Sequence, residues 1–208
     1  MNGVQGSLLD LFDEVVVHPL AGAGQRTHLR GDAWVDLRPG WVGGADELFA
    51  ALRRDVDWQT ERRQMYDSVV DVPRLLRFYG ESEDLPHPAL DECRDVLTEH
   101  YADELGEPFR TAGLCLYRDG QDSVAWHGDR IGRSRDADTM VAILSVGAPR
   151  DLVLRPRGGG TSVRVSSGHG DLLVMGGSCQ RTWDHCVPKT ARPVGPRISI
   201  QFRVRGVR

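Results

Sequence analysis

The sequence predicts a mainly β, α+β fold: a jelly-roll core behind an N-terminal helical cover. Three observations point there. Helical apolar periodicity is confined to the chain before Gly106, seven short strand-like runs follow it, and helices and strands do not alternate as a parallel βαβ sheet would require.

Between Ala45 and Val56, the residues Leu48, Phe49, Leu52 and Val56 recur at helical spacing, with Asp46 and Glu47 in the first turn, where carboxylates favour the helix dipole. From Pro88 to Leu105 a second stripe is formed by Leu90, Cys93, Val96, Leu97, Tyr101 and Leu105. Pro88 stands at its start and Gly106 just past its end. Both read as packing helices. Between them Val69–Tyr79 is rich in Val, Leu, Phe and Tyr and reads as extended. Beyond Gly106 the expected strands are Ala112–Tyr117, Thr139–Val146, Asp151–Pro156, Thr161–Val165, Asp171–Met175, His185–Val187 and Arg197–Val204. Asp119-Gly120, Ala148-Pro149, Gly158-Gly159-Gly160, Gly168 and Gly176-Gly177 punctuate them. With no linker between the halves, residues 1–208 read as one domain, with 1–108 as the cover and 109–208 as the core.

At 208 residues the chain buries about 70% of its unfolded surface on folding, enough for a core without staples. Apolar content of 40% excludes wholesale disorder, and no apolar run approaches the roughly 20 residues of a membrane helix. The start, MNGVQGSLLDLFDE, lacks the basic region of a signal peptide, so a cytoplasmic protein without membrane contact is expected; it is also expected to be a monomer. Cys93, Cys115, Cys179 and Cys186 have no C-x-x-C spacing and read as reduced thiols. The net charge of −4 hides an asymmetry. Residues 1–108 carry 22 acids and 10 bases, net −12, and residues 109–208 carry 8 acids and 16 bases, net +8. A basic half could face a polyanion, or its charges could be spread over a sheet surface.

Trp126-His127-Gly128-Asp129 is the most informative stretch. In an extended segment, residues two apart point the same way, so His127 and Asp129 can offer a nitrogen and an oxygen to one ion. Two His and one carboxylate, with open positions opposite, is the ligand set of non-haem Fe(II) oxygenases. His169-Gly170-Asp171 repeats the spacing. His185 lies 58 residues beyond His127, room for several intervening strands, but only 16 beyond His169, barely one hairpin. His127, Asp129 and His185 are therefore taken as the metal ligands, and His169-Gly170-Asp171 as structural. Arg197 and Arg203 share one side of the last strand. An arginine there could clamp a dicarboxylate with its two-pronged fork, or both could face solvent, and the pattern leaves this open.

The chain resembles the AlkB-like Fe(II)/2-oxoglutarate-dependent dioxygenases over roughly residues 60–205. The resemblance is carried by Leu116-Tyr117-Arg118-Asp119-Gly120 through Trp126-His127-Gly128-Asp129, by Gly170-Asp171 through His185, and by Arg197 to Arg203. Upstream, Val72-Pro73-Arg74 with Tyr79-Gly80 is similar to the substrate-side segment of the family's nucleic-acid repair members. The resemblance implies a double-stranded β-helix, Fe(II) on His127, Asp129 and His185, and the distal carboxylate of 2-oxoglutarate on Arg197. It further implies that Tyr117 bonds the co-substrate, while Arg203 lies near Asp129 and shapes the substrate pocket. With O₂ the implied reaction is oxidative demethylation of N-alkylated bases in DNA or RNA, giving succinate, CO₂ and formaldehyde. Cys115 stands where the family commonly has Asn, Ser199 and Gln201 where it has Asn and Thr, and Ile131 where a carboxylate often touches the base.

On the substrate side the candidates are Arg62, Arg63, Met65, Tyr66, Arg74 and Tyr79, with Arg130, Arg133 and Arg135 as phosphate contacts to a single strand or an extruded base. The same chemistry on tRNA, protein or a small molecule, and a non-catalytic cupin-like binding module, are the alternatives. The intact ligand set counts against the second. Leu8-Leu9-Asp10-Leu11-Phe12 resembles the pentapeptide by which bacterial DNA-processing proteins bind the replication sliding clamp, with Leu8 in place of the leading Gln.

Overall fold

The computed structural model describes residues 14–22, 24–65, 68–129 and 136–205, and for residues 62–65 and 68–71 the backbone course alone. Its N-terminal elements are β1 (Val16–Val17), β2 (Gln25–His28), β3 (Ala33–Arg38), β4 (Val42–Gly43), α1 (Ala45–Asp55), β5 (Arg62–Met65), β6 (Ser68–Asp71), β7 (Leu75–Tyr79), α2 (Pro88–His100) and α3 (Ala102–Leu105). There follow β8 (Thr111–Tyr117), β9 (Val124–His127), β10 (Val141–Gly147), β11 (Arg150–Pro156), β12 (Val163–Ser167), β13 (Asp171–Gly177), α4 (Cys179–Thr182), β14 (Trp183–Val187) and β15 (Arg197–Arg203).

A seven-stranded antiparallel sheet in the order β2-β3-β13-β10-β15-β8-β7 faces a four-stranded one in the order β12-β11-β14-β9. Both faces of the large sheet are covered. One packs α1, α2 and α3, burying Leu48, Leu52, Leu90, Leu97 and Leu105 against Leu114, Leu144, Val174, Ile200 and Phe202. The other packs the small sheet, joining Val141, Ile143, Leu173 and Met175 to Leu152, Leu154, Trp183 and Val187. Burial on two faces explains the near-continuous apolar runs of β10 and β13, which a half-exposed strand would break with polar residues.

The N-terminal half is more than a helical cover. Strand β3 pairs with β13, and β7 with β8, so residues before 108 supply two main-sheet strands and the edge strand β2. The expected helix over 88–105 is interrupted at Tyr101. Its hydroxyl donates to Asp36 at 3.0 Å, its ring stacks on Trp34, and the chain leaves helical geometry there to make both contacts. The helix starts as its sequence dictates: Pro88 occupies the first turn and the Ala89 amide donates to His87 Nδ1 at 3.2 Å. All four cysteines are free and buried.

Trp34 lies across Gly176, its register partner on β13. A Cβ on Gly176 would meet the indole Cζ2 at 2.1 Å. Gly176→Ala is expected to cost about 2–3 kcal/mol, as overpacking against a rigid buried ring does. The check is the urea midpoint of the variant, which should fall with an unchanged slope.

Candidate metal centre and co-substrate pocket

The site lies between the two sheets, lined by residues of β8, β10 and β15 on one side and β9, β11 and β14 on the other. His127 and His185 are register partners on β9 and β14, an inter-strand contact between residues 58 positions apart. Their rings lie 4.3 Å apart, and His127 Nε2 is 3.7 Å from Asp129 Oδ1. One ligand atom from each of His127, Asp129 and His185 lies within 4.8 Å of the other two, so a single ion can bridge all three. Among the described residues no other group of His, Cys, Asp and Glu is arranged this way.

Neighbours fix the donor atoms. His127 Nδ1 lies 2.9 Å from the Ala125 carbonyl, which can only accept, so the proton sits on Nδ1 and Nε2 presents its lone pair to the site. Arg203 Nη2 donates to Asp129 Oδ2 at 3.1 Å and leaves Oδ1 turned toward His127. Burial alone would raise the Asp129 pKa, but the Arg203 guanidinium, His185 and His127 outweigh it and hold it at about 2. Burial pushes His185 down to about 4 against the pull of Asp129, so its imidazole is neutral and ligand-competent near pH 7. The residue between the ligands is closely packed: a Cβ on Gly128 would displace the end of the Arg157 side chain, 2.2 Å away at Nη2, and press on the Trp183 and Gln180 carbonyls at 3.1 and 3.2 Å.

The second H-x-D segment is spent on turns. His169 Nδ1 accepts from the Gly147 amide at 2.7 Å, and Asp171 accepts from the amides of Gly40 and Gly168 at 2.8 and 2.7 Å.

Strand β15 settles the question of faces. Ile198, Ile200 and Phe202 pack toward the helices, so Arg197, Ser199, Gln201 and Arg203 point between the sheets, and the solvent-facing reading of the two arginines is overturned. They line one cavity with Arg74, Cys115, Tyr117 and the metal-ligand residues, walled by Val124, Val141, Ile143, Leu152 and Val187. Arg197 is 4% exposed. Its Nη2 donates to Ser145 Oγ at 2.7 Å, its Nε and Nη1 are buried without a partner, and among the described residues no carboxylate pairs with it. A cation so placed calls for an anion in the cavity. The orphaned edge of its guanidinium is the observation by which a carboxylate-bearing co-substrate fits. The Arg197 guanidinium lies 5.3 Å from the centre of the Tyr117 ring. Burial pushes that phenol up to about 12, so it is protonated and can donate.

Sequence reasoning missed Arg150. Buried on β11, it donates to the carbonyls of Asp119, Asp122 and Pro188 at 2.7–3.0 Å and lies 5.6 Å from the Tyr117 ring centre, fixing the two loops behind the phenol. Its parity with Leu152 and Leu154 was the available signal. Tyr79 does not reach the cavity, contrary to its selection as a substrate residue. Its register partner is Ala112, on the helix-facing side of the sheet, and it is buried in that core. Arg74 does reach the cavity. Tyr66, Arg130, Ile131, Arg133, Arg135 and the Leu8–Phe12 segment lie outside the described residues, as do the side chains of Arg62, Arg63 and Met65.

Residues 50–203 match the family model of the 2OG-Fe(II) oxygenase superfamily. The alpha-ketoglutarate-dependent dioxygenase alkB homolog 3 of Bos taurus is 33% identical over 190 residues, covering 81% of this chain and 65% of that protein. The DNA oxidative demethylase ALKBH2 of Homo sapiens is 30% identical over 182 residues, covering 76% of this chain and 68% of its own length. The chain thus spans about 65% of the length of the alkB homolog 3 proteins it matches. Among solved structures, OsALKBH1 superposes with a TM-score of 0.57 at 13% identity, covering 86% of this chain and 100% of that one. An oxidoreductase of the 2OG-Fe(II) oxygenase family from Burkholderia pseudomallei superposes at 0.55 with 16% identity, over 81% and 84%. Both likenesses concern the fold.

Proposed function

We propose that this chain, which belongs to the 2OG-Fe(II) oxygenase superfamily and resembles its AlkB-like members, oxidatively removes N-alkyl groups from bases in DNA or RNA. The observation that carries the reading is a single cavity holding both a three-residue ligand cluster and a buried arginine without a counter-ion. His127, Asp129 and His185 would hold Fe(II), and Arg197 and Tyr117 would hold 2-oxoglutarate. When bound with O₂, these groups would supply oxidative decarboxylation coupled to hydroxylation of the N-methyl carbon, and the product hydroxymethyl group would be lost as formaldehyde.

The chain's own residues do the positioning. The Ala125 carbonyl aims His127 Nε2, and Arg203 occupies one oxygen of Asp129 so that the other is left for the ion. Arg197 fixes the far carboxylate and so sets how deep the co-substrate sits, while the apolar wall of Val124, Ile143, Leu152 and Val187 sheds bulk water around the reacting methyl. The substrate part of the reading is supported by the likeness to a DNA oxidative demethylase and by the basic C-terminal half. A base must leave the helix to reach such a cavity, which favours single strands.

Incubation with 1-methyladenine or 3-methylcytosine oligonucleotides of DNA and of RNA, followed by nucleoside analysis, tests this reading. Loss of the methylated nucleoside only when Fe(II) and 2-oxoglutarate are both present is the expected result. Arg130, Arg133 and Arg135 belong to the proposal as phosphate contacts. Neutralising all three should lower the slope of log affinity against log salt by about 2 on a single strand, at roughly 0.7 per contact. An unaltered slope would return them to the role of solvated loop residues. A monomeric, cytoplasmic enzyme whose Leu8–Phe12 segment docks on a sliding clamp completes the proposal. Titration of a peptide of residues 1–14 against clamp, with Leu11→Ala/Phe12→Ala as control, tests the docking.

A further inference from the structure

The cavity holds a second guanidinium that no direct ion pair neutralises, although the Glu61 carboxylate acts on it from a greater distance. Arg74 immediately precedes β7, the edge strand of the large sheet opposite β2, and shares the cavity-facing parity of Leu76, whose register partner is Cys115. Its Nη1 donates to the Ser123 carbonyl at 3.1 Å and its Nε is buried without a partner. Among the described residues no ion pair joins it to a carboxylate.

Two neutral donors beside it are already committed. The Cys115 thiol donates to Gln201 Oε1 at 3.6 Å, and Gln201 Nε2 donates to the Ser199 carbonyl at 3.1 Å. Beyond the Tyr117 phenol, this leaves guanidinium N–H groups as the uncommitted strong donors along this stretch of the cavity. Charge then selects the ligand. The 1-methyladenine and 3-methylcytosine bases are cationic, so a guanidinium in contact with them is repelled, whereas a dianion is attracted to it.

We infer that Arg74 is a second anion clamp for the co-substrate, so that the cavity meets the two carboxylates of 2-oxoglutarate with two guanidinium groups, Arg74 and Arg197. This rests on the function proposed above and moves Arg74 from the nucleic-acid side of the site to the co-substrate side. Cys115 offers no amide there, and Arg74 supplies the donor from the turn that leads into the neighbouring strand.

The test is equilibrium binding rather than turnover. Protein loaded with Mn(II), which does not support the oxidation, is titrated calorimetrically with 2-oxoglutarate and, separately, with a methylated single-stranded oligonucleotide. Arg74→Gln should weaken 2-oxoglutarate binding by at least tenfold and leave oligonucleotide affinity within twofold. Arg74→Lys, which keeps the charge but not the fork, should fall between the two. Unchanged 2-oxoglutarate affinity, or a loss confined to the oligonucleotide, overturns the inference. If Arg74→Gln does not fold, the wild-type protein decides. Bound 2-oxoglutarate should protect Arg74 from phenylglyoxal, read by peptide mass, and absence of protection overturns the inference equally. Failure of wild-type protein to bind 2-oxoglutarate at all would instead strike the proposed function.

Discussion

Arg197→Met should weaken 2-oxoglutarate binding by roughly 30-fold or more and, at the same time, make the unliganded protein more stable. The two effects have one cause. Arg197 is 4% exposed, holds one hydrogen bond to Ser145, and keeps two nitrogens buried without partners. Burial disfavours its charged form, and its pKa is lowered accordingly. A methionine of similar length removes that cost while filling the space, and replacing buried charge by apolar volume is commonly stabilising by about 1–4 kcal/mol. Losing one partner of a buried charge pair weakens binding by about 2–5 kcal/mol, a factor of roughly 30 to several thousand. Calorimetric titration with 2-oxoglutarate and urea unfolding without it check both signs. A variant that is less stable and binds normally would show that Arg197 serves the fold instead.

Asp129→Ala should lower turnover by about 1,000-fold or more, since the ion's contribution amounts to several kcal/mol and each 1.4 kcal/mol is tenfold. It should also destabilise the unliganded fold, because Arg203, 13% exposed at its side chain, loses the carboxylate it donates to. His169→Ala is the contrast. It removes an acceptor for the Gly147 amide, costing about 1 kcal/mol of stability, and should leave turnover within a few-fold of wild type. Activity lost in His169→Ala and kept in Asp129→Ala would exchange the two H-x-D segments.

Much of this was legible in the sequence, for a physical reason. Ligand chemistry fixes residue types, and strand parity fixes which of them share a face, so His127 and Asp129 could be paired from spacing alone. The third ligand followed from the number of strands its distance allowed. Parity could not say which face of β15 looks inward, because Ile198-Ile200-Phe202 is as apolar as a core stripe and Arg197-Ser199-Gln201-Arg203 as polar as a surface one. The answer needed the second layer: helices on one side and a cavity between the sheets on the other. Strands β2 and β3 were passed over because Gln25–His28 has no apolar residue and Ala33–Arg38 carries Asp36 in its middle. That carboxylate is tolerated only because Arg26 and Tyr101, distant in sequence, both donate to it. Tyr79 was misplaced for a related reason: an aromatic near a motif looks like a base contact until the register with Ala112 turns it toward the helices.

The central claim is that one cavity couples 2-oxoglutarate oxidation to removal of a methyl group from a base. The most direct measurement is the ratio of formaldehyde to succinate formed by wild-type protein with Fe(II), 2-oxoglutarate and a methylated single-stranded oligonucleotide in excess. A ratio near 1, with succinate formation falling sharply when the unmethylated oligonucleotide is substituted, is the expected result. Succinate released at the same rate with either oligonucleotide, and without formaldehyde, would contradict the account.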